Sequence, residues 1–213
     1  MIDLSTLNPK RILVCQQRQI GDVLLASPVF EVLKKRFPQA ELHLFTEKKC
    51  EPLLRHNPFI DAFHLIDKSG GFFRQLAFYR RVAACRFDVV IDLQQLPRCR
   101  MMTLLSGAPV RLSFPASFLS RLRYNCLVRP QEGYAKVSLL APFGIRWSGE
   151  GPRIYLTSEE LEQAKNLLAA CGLRPEHTLI AVDSTHRRAS KRWPAERFAA
   201  LMRLLAGEND AFR

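Results

Sequence analysis

Arg11-Ile-Leu-Val-Cys15, continuing through Gln16-Gln-Arg-Gln-Ile-Gly-Asp22 into Val23-Leu-Leu-Ala-Ser-Pro28, sets the reading of the whole chain. Five residues of mostly apolar, unalternating character have the length of a buried strand, and Asp22 to Phe37 carries apolar residues at helical spacing. Strand, polar loop and helix in that order make one β–loop–α unit. Pro28 interrupts the helical pattern, and the reading adopted is a kink there; a second helix start capped by Ser27, with Pro28 at its first position, is the alternative.

Outward from this unit the same order recurs. Glu41 to Thr46 alternates as a strand, and Lys48 to His56 is a short helical segment closed by Asn57-Pro58. Ala62 to Ile66 is a third strand, Phe72 to Cys85 a helix mixing basic and aromatic residues, and Asp88 to Asp92 a fourth strand. Pro97 to Leu105 follows as a helix and Val110 to Ser113 as a further strand. Strands alternating with helices pair in parallel through crossovers, which predicts a doubly wound α/β architecture. Residues 114–133 show no period and are expected to form a surface excursion before a helix over Tyr134 to Leu140.

Trp147-Ser-Gly-Glu-Gly-Pro152 reads as a linker, which divides the chain into residues 1–150 and 151–213. Beyond it, Thr157 with Glu160 is a helix-capping pair, and that helix runs to Cys171-Gly172. Thr178 to Asp183 is expected as a strand, Ser184 to Arg192 as a polar basic loop, and Pro194 to Ala206 as a helix ended by Gly207. One strand and two helices are too little to cover a sheet on both faces, so this part is expected to be only the beginning of a second domain.

Composition narrows the classes. Among 213 residues, ten Gly and thirteen Pro are too few for a collagen-like or low-complexity chain, and fourteen Phe argue for a packed core. The net charge of +12 predicts a polyanionic partner: nucleic acid, an anionic membrane or glycolipid, or a phosphorylated small molecule. Between Lys68 and Lys136 twelve Lys and Arg face three acids, so the excess is central. The six Cys contain no C-x-x-C pair and no Cys/His cluster with zinc spacing, so no metal site is expected from spacing alone. The start lacks a signal-peptide pattern and no apolar run spans a bilayer; the expectation is a cytoplasmic protein with free thiols, any membrane contact being peripheral.

Ligands of open α/β sheets bind beyond the carboxyl ends of the strands. Two loops there carry chemistry. In the first, Gly21 permits close approach and Asp22 is either a helix cap or a carboxylate facing the crevice. In the second, Asp183-Ser-Thr-His-Arg-Arg-Ala-Ser-Lys191-Arg-Trp-Pro194, hydroxyls and cations precede a helix N-terminus, a setting for phosphate or simply a solvated basic turn. Neither a dinucleotide-binding glycine pattern nor a P-loop occurs, and no Asp-x-Asp pair is present to hold a nucleotide diphosphate through a cation.

The stretches Ile20-Gly-Asp-Val-Leu-Leu-Ala-Ser-Pro28, Phe37-Pro38-Gln-Ala40, Asn57-Pro58-Phe-Ile-Asp61, Phe87-Asp-Val-Val-Ile-Asp-Leu93 and Thr185-His-Arg-Arg-Ala-Ser-Lys-Arg-Trp-Pro-Ala-Glu-Arg-Phe198 resemble, in order, the lipopolysaccharide core heptosyltransferases of glycosyltransferase family 9. The resemblance is greatest to members that add a branch heptose. It implies a GT-B arrangement of two Rossmann-like domains, the amino-terminal one (1–150) for the glycolipid acceptor and the carboxyl-terminal one (151–213, incomplete) for ADP-heptose. By resemblance Asp22 is the general base and Lys191 holds donor phosphate, with Thr185, His186 and Arg187 beside it, on the opposite wall of one cleft. Gln16 stands where the family often has Lys. Metal-independent inversion without a cofactor is implied, on the cytoplasmic face of the inner membrane. Lys68, Arg74, Arg80 and Arg81, with Phe72, Phe73, Phe78 and Tyr79, and Arg121 and Arg123, with Phe118 and Leu122, are the expected contacts to acceptor or membrane. Family members continue further, so the chain is expected to be a fragment; a non-catalytic relative or a nucleic-acid-binding module are the rival readings, no specific nucleic acid being expected.

Overall fold

The computed structural model describes residues 4–67, 69, 71–130, 134–185 and 188–208. The chain divides into two compact units, Met1–Tyr155 and Leu156–Arg213.

The first unit is built on six parallel strands in the order β3-β2-β1-β4-β5-β6. Along the chain run β1 (Arg11–Cys15), α1 (Ile20–Leu24), α2 (Ser27–Arg36), β2 (Glu41–Glu47), α3 (Glu51–Leu54), β3 (Ala62–Ile66), α4 (Phe72–Ala83), β4 (Val89–Asp92), α5 (Pro97–Leu105), β5 (Val110–Ser113), α6 (Ser120–Arg123), β6 (Cys126–Leu127) and α7 (Ala135–Ser138). This is the Rossmann order, with winding reversing between β1 and β4.

The apolar run of β1 is buried on both faces, and its alternation assigns each residue to one of two cores. Ile12 and Val14 join Leu42 and Leu44 of β2 and Val29, Phe30 and Leu33 of α2. Leu13 and Cys15 join Phe45 of β2, Tyr79 and Val82 of α4, and Cys99 and Met102 of α5. Helices thus cover both faces, the condition under which an all-parallel sheet is stable. Each fully buried Ile, Leu or Val contributes roughly 1.5–3 kcal/mol, so the buried runs of β1, β2 and β4 hold the centre of the sheet.

Several expectations are corrected. Pro28 does not kink one helix: α1 ends at Leu24 and α2 begins at Ser27 with Pro28 in its first turn. Proline has no N–H to donate to the carbonyl four residues earlier, and its ring collides with that carbonyl. Ser27 makes no side-chain cap. Nor is Asp22 a cap, because Gln19 occupies the N-cap position and Asp22 lies in the first turn. Residues 114–133 contain α6 and the edge strand β6, too short to show a period.

The second unit has α8 (Ser158–Ala170) and α9 (Ala195–Glu208). Thr157 and Glu160 form the predicted capping box, with Thr157 Oγ1 accepting from Glu160 N at 3.1 Å and Glu160 Oε2 from Thr157 N at 2.8 Å. Gly207 does not end α9. Thr178 to Asp183 is not a strand: among the described residues of 156–208 there is none, and Thr178 makes an isolated bridge. A strand needs a ladder for its backbone groups, and an apolar run without flanking strands has none.

Where winding reverses, the carboxyl end of β4 is held by a buried polar network. The Asp92 carboxylate, 0% exposed, accepts from the Gln94 and Gln95 N–H groups (3.0 and 2.7 Å) and from the Tyr124 hydroxyl (2.6 Å). Burial pushes the Asp92 carboxyl upward, opposed by the Tyr124 hydroxyl and the Gln95 and Gln94 N–H groups. Ser113 Oγ donates to the Asp92 carbonyl at 2.7 Å and Ser120 Oγ to Gln95 Oε1 at 3.1 Å. Gln94 Oε1 accepts from Gln17 N at 2.8 Å, which ties the loop after β4 to the loop after β1. At the other end of the unit Glu150 accepts from Ser148 N and Oγ and pairs with Lys35 of α2 at 3.0 Å. Burial works against its charge, but the Ser148 groups and Lys35 prevail and hold it down to about 2.

Removing one partner of a buried charged hydrogen bond costs about 1.5–3 kcal/mol. Tyr124→Phe is therefore expected to lower stability by about 2 kcal/mol in urea unfolding; a change within roughly 0.5 kcal/mol, the level of an ordinary surface substitution, contradicts the network's role. For Glu150 the folded carboxyl titrates below the unfolded one. Its contribution is present above about pH 4.5 and is lost as pH falls toward about 2. Glu150→Gln should flatten the acid limb of stability over that window, read from unfolding midpoints at successive pH values.

Candidate functional site

The crevice lies at the carboxyl ends of β1 and β4, where two crossovers diverge to opposite faces. Gln16 and Gln17 leave β1 and Gln94 and Gln95 leave β4. Arg18 and Gln95 adopt left-handed backbone (φ 74° and 54°), an unfavourable conformation for residues other than glycine. Both turns are imposed by their surroundings, Gln95 by its bonds to Asp92, Ser113, Ser120 and Phe114, and Arg18 by its N–H to Glu47 Oε1 at 3.1 Å.

Asp22 is exposed on α1, immediately beyond the carboxyl end of β1. The Leu25 N–H serves the Gly21 and Val23 carbonyls of this short helix, but the carbonyls of Asp22 and of Leu25 after it take donors from elsewhere. The segment entering α7 supplies them: Lys136 Nζ donates to the Asp22 carbonyl at 2.6 Å, and the Tyr134 hydroxyl donates to the Leu25 carbonyl. Tyr134 is in turn stacked on Trp147, ring centroids 6.2 Å apart. Burial lowers the Lys136 ammonium, and attraction by the Asp22 carboxylate opposes that shift. Lys136 and Tyr134 thus support the candidate site from positions that sequence reading missed, because they lie more than a hundred residues from the carbonyls they anchor.

Near the same strand ends several buried polar atoms lack a hydrogen-bond partner among the described residues: both amide atoms of Gln16, Gln17 Nε2, Ser27 Oγ and Thr46 Oγ1. Gln16 follows Cys15 and Thr46 follows Phe45, a registered β1–β2 pair, so the two are adjacent across the sheet. A buried polar group left without a partner costs about 1–3 kcal/mol, so each of these atoms calls for a water, an ion or another polar partner.

In the loop from Asp183 to Pro194, Lys191 is exposed at the end of a 3-10 turn, Ala189–Lys191, and its N–H donates to the Arg188 carbonyl at 3.0 Å. Thr185 N and Oγ1 both donate to Asp183 Oδ1, at 2.9 and 2.8 Å, closing a tight local turn. Trp193 packs edge-on against Phe198 of α9, centroids 4.8 Å apart. His186 and Arg187 lie outside the described residues, as does Lys68.

The basic residues fall into two groups. Arg74 and Arg81 of α4 line one cleft of about 430 Å³ together with Asp67 and Phe78, and the Arg81 guanidinium lies 5.4 Å from the Phe78 ring centroid. Arg80, about 100° round the helix from Arg81, does not line it. A second, mostly apolar groove of about 450 Å³ lies between α4 and α5, bounded by Phe72, Tyr79, Arg98 and Met101. Phe72 and Phe73 at the start of α4 are 74% and 84% exposed. On α6, Arg121 is exposed, Arg123 is half-buried with its guanidinium donating to the Leu119 carbonyl, and Phe118 and Leu122 are 84% and 74% exposed. Of the expected aromatic contacts, Tyr79 is buried in the core beneath α4. No helix among the described residues is long and apolar enough to cross a membrane.

The family profile of glycosyltransferase family 9 (heptosyltransferase) matches residues 75–210, more than half of the chain. Lipopolysaccharide heptosyltransferase 3 of Escherichia coli is 24% identical over 197 residues, covering 85% of this chain and 56% of that protein. The chain thus spans a little over half the length of this relative. Among solved structures, a glycosyl transferase family 9 protein from Veillonella parvula DSM 2008 superposes with a TM-score of 0.82 at 27% identity, covering 94% of this chain and 60% of that one. Escherichia coli ADP-heptose lps heptosyltransferase II shares the fold with a TM-score of 0.71 at 20% identity, over 93% and 62% of the two chains. With the profile match, the Rossmann strand order and the quoted motifs in agreement, the chain belongs to glycosyltransferase family 9.

Proposed function

We propose that this chain serves the inverting, metal-independent transfer of heptose from ADP-heptose to a hydroxyl of a phosphorylated lipopolysaccharide inner core, as a branch-adding member of its family. What carries the reading is the exposed carboxylate of Asp22, held at the carboxyl end of β1 on a helix whose carbonyls are anchored by Tyr134 and Lys136. Family membership and the names of its relatives support the donor and acceptor classes.

In this mechanism Asp22 takes the proton of the acceptor hydroxyl as that oxygen attacks the anomeric carbon from the face opposite the diphosphate. The new C–O bond forms, the bond to the diphosphate breaks with inversion, and ADP leaves. Lys191, Thr185, His186 and Arg187 hold the donor phosphates and stabilise the negative charge that develops on them. No cofactor is needed. Residues 1–150 take the acceptor and 151–213 contribute to the donor side.

The acceptor is a phosphorylated glycolipid, so a basic surface with exposed aromatics suits it. Arg74, Arg80, Arg81 and Lys68 with Phe72 and Phe73, and Arg121 and Arg123 with Phe118 and Leu122, form the peripheral contact with acceptor phosphate and the cytoplasmic face of the inner membrane.

A general base contributes roughly 10²- to 10⁴-fold. Asp22→Asn is expected to lower heptose transfer by that order with ADP-heptose affinity retained, whereas Lys191→Ala should weaken ADP-heptose binding about tenfold or more; radiolabelled transfer and titration calorimetry separate the two, and undiminished transfer in Asp22→Asn removes that residue from the chemistry. Each surface cation is worth about 1 kcal/mol near an anionic membrane. Arg80→Glu combined with Arg81→Glu should raise the acceptor KM and reduce retention on phosphatidylglycerol vesicles roughly tenfold or more, while retention of RNA with no vesicle binding favours the nucleic-acid reading.

A further inference from the structure

We propose that His43, His64 and Cys85 form a binding site for a thiophilic transition metal ion, zinc by ligand class, on the α4-covered face of the sheet and remote from Asp22. One ligand atom from each residue lies within 4.8 Å of the other two.

The juxtaposition follows from register. Parallel pairing sets His64 of β3 beside Phe45 of β2, so His43, two residues before Phe45, lies on the same face one diagonal step away. The two imidazoles lie end to end in nearly one plane, 21° between planes and centroids 5.1 Å apart, with His43 Nδ1 2.9 Å from His64 Nε2. Cys85, just after α4 and ahead of β4, closes the third side.

Two ring nitrogens this close share one proton; a metal ion that replaces it requires each ring to turn by roughly 35° so that its lone pair meets the ion, and Cys85 Sγ, within 4.8 Å, to close by up to about 1 Å. With Zn–N bonds of about 2.0–2.1 Å, tetrahedral geometry separates two nitrogens by about 3.3 Å, a few tenths of an ångström beyond the observed spacing.

The surroundings match a metal site's outer shell. Glu41 Oε2 faces the other nitrogen of His43, Nε2, at 3.6 Å, which directs Nδ1 toward the cluster. Arg11 bonds the same Glu41 oxygen at 2.7 Å and donates to the Cys85 carbonyl at 3.1 Å, linking two of the three ligands. Phe87 presents an apolar wall, edge-on to both imidazoles at 5.1 and 6.0 Å. The Arg81 guanidinium, which acts on His64, opposes a cation; the Cys85 thiolate and the Glu41 carboxylate offset it. A thiolate and two imidazoles without a carboxylate ligand select zinc or copper over magnesium or calcium. The site lies toward the amino ends of the strands, so its role is to staple β2, β3 and the entry to β4, and the fourth position is left to water.

The test uses the full chain carrying Cys171→Ser, which removes the exposed thiol, stripped of metal with a chelator and titrated with Co(II) and then Zn(II). One equivalent of Co(II) should bind with a thiolate-to-cobalt charge-transfer absorption that Zn(II) displaces, and Zn(II) should raise the Tm. Cys85→Ser should lose both signals while keeping its circular dichroism, and Glu41→Gln should weaken zinc roughly 10- to 100-fold. Absence of the charge-transfer band, or its persistence in Cys85→Ser, overturns the proposal and leaves a neutral histidine pair packed on Phe87. If Cys85→Ser fails to fold, alkylation of the parent decides: protection of Cys85 by one equivalent of zinc supports the site, and equal alkylation with and without zinc overturns it.

Discussion

A carboxylate with no access to solvent at the end of a central strand has to be bonded on every side or it destabilises the sheet that contains it. Asp92 meets this condition with two backbone N–H groups and the Tyr124 hydroxyl. The bonds reach β5 through Ser113, α6 through Ser120, and the loop after β1 through Gln94 and Gln17. The strained turn at Gln95 persists because this network leaves it no alternative. Since β1 and β4 diverge here, the same bonds that offset the cost of Asp92 also fix the loops that leave both strands.

The two ends of the sheet are stabilised differently. At the amino ends, side chains complete the backbone: Asp88 Oδ2 accepts from the N–H groups of Lys10 and Arg11 at 2.6 and 2.9 Å, and Arg11 bridges Glu41 and the Cys85 carbonyl. At the carboxyl ends, polar atoms of Gln16, Gln17, Ser27 and Thr46 have no hydrogen-bond partner among the described residues, and α1 relies on donors from distant Tyr134 and Lys136. The exposed carboxylate of Asp22 stands at that second end.

Much of this was legible along the chain because it depends on local pattern. The runs around Leu13 and Val90 are uniformly apolar, which marks central strands, and the Thr157–Glu160 pair marks a helix start through contacts three residues apart. Pro28 was ambiguous for a physical reason: lacking an N–H, it both disrupts a helix and suits a first turn, and the choice depends on whether the preceding carbonyls find other donors. Thr178 to Asp183 has strand composition, yet composition cannot supply the neighbouring ladder on which a strand depends. β6 was missed because two residues at an edge carry no periodicity.

The amino-acid sequence by itself determined which segments are apolar on one side or both, where helices start, and which family the motifs around Asp22 and Lys191 resemble, since each rests on residues near one another in the chain. The tertiary structure alone decided the strand order, the partners of Asp92, the donors that anchor α1, and the meeting of His43, His64 and Cys85. Those outcomes join groups separated by tens to more than a hundred residues, and they depend on register and on crossovers that no local pattern encodes.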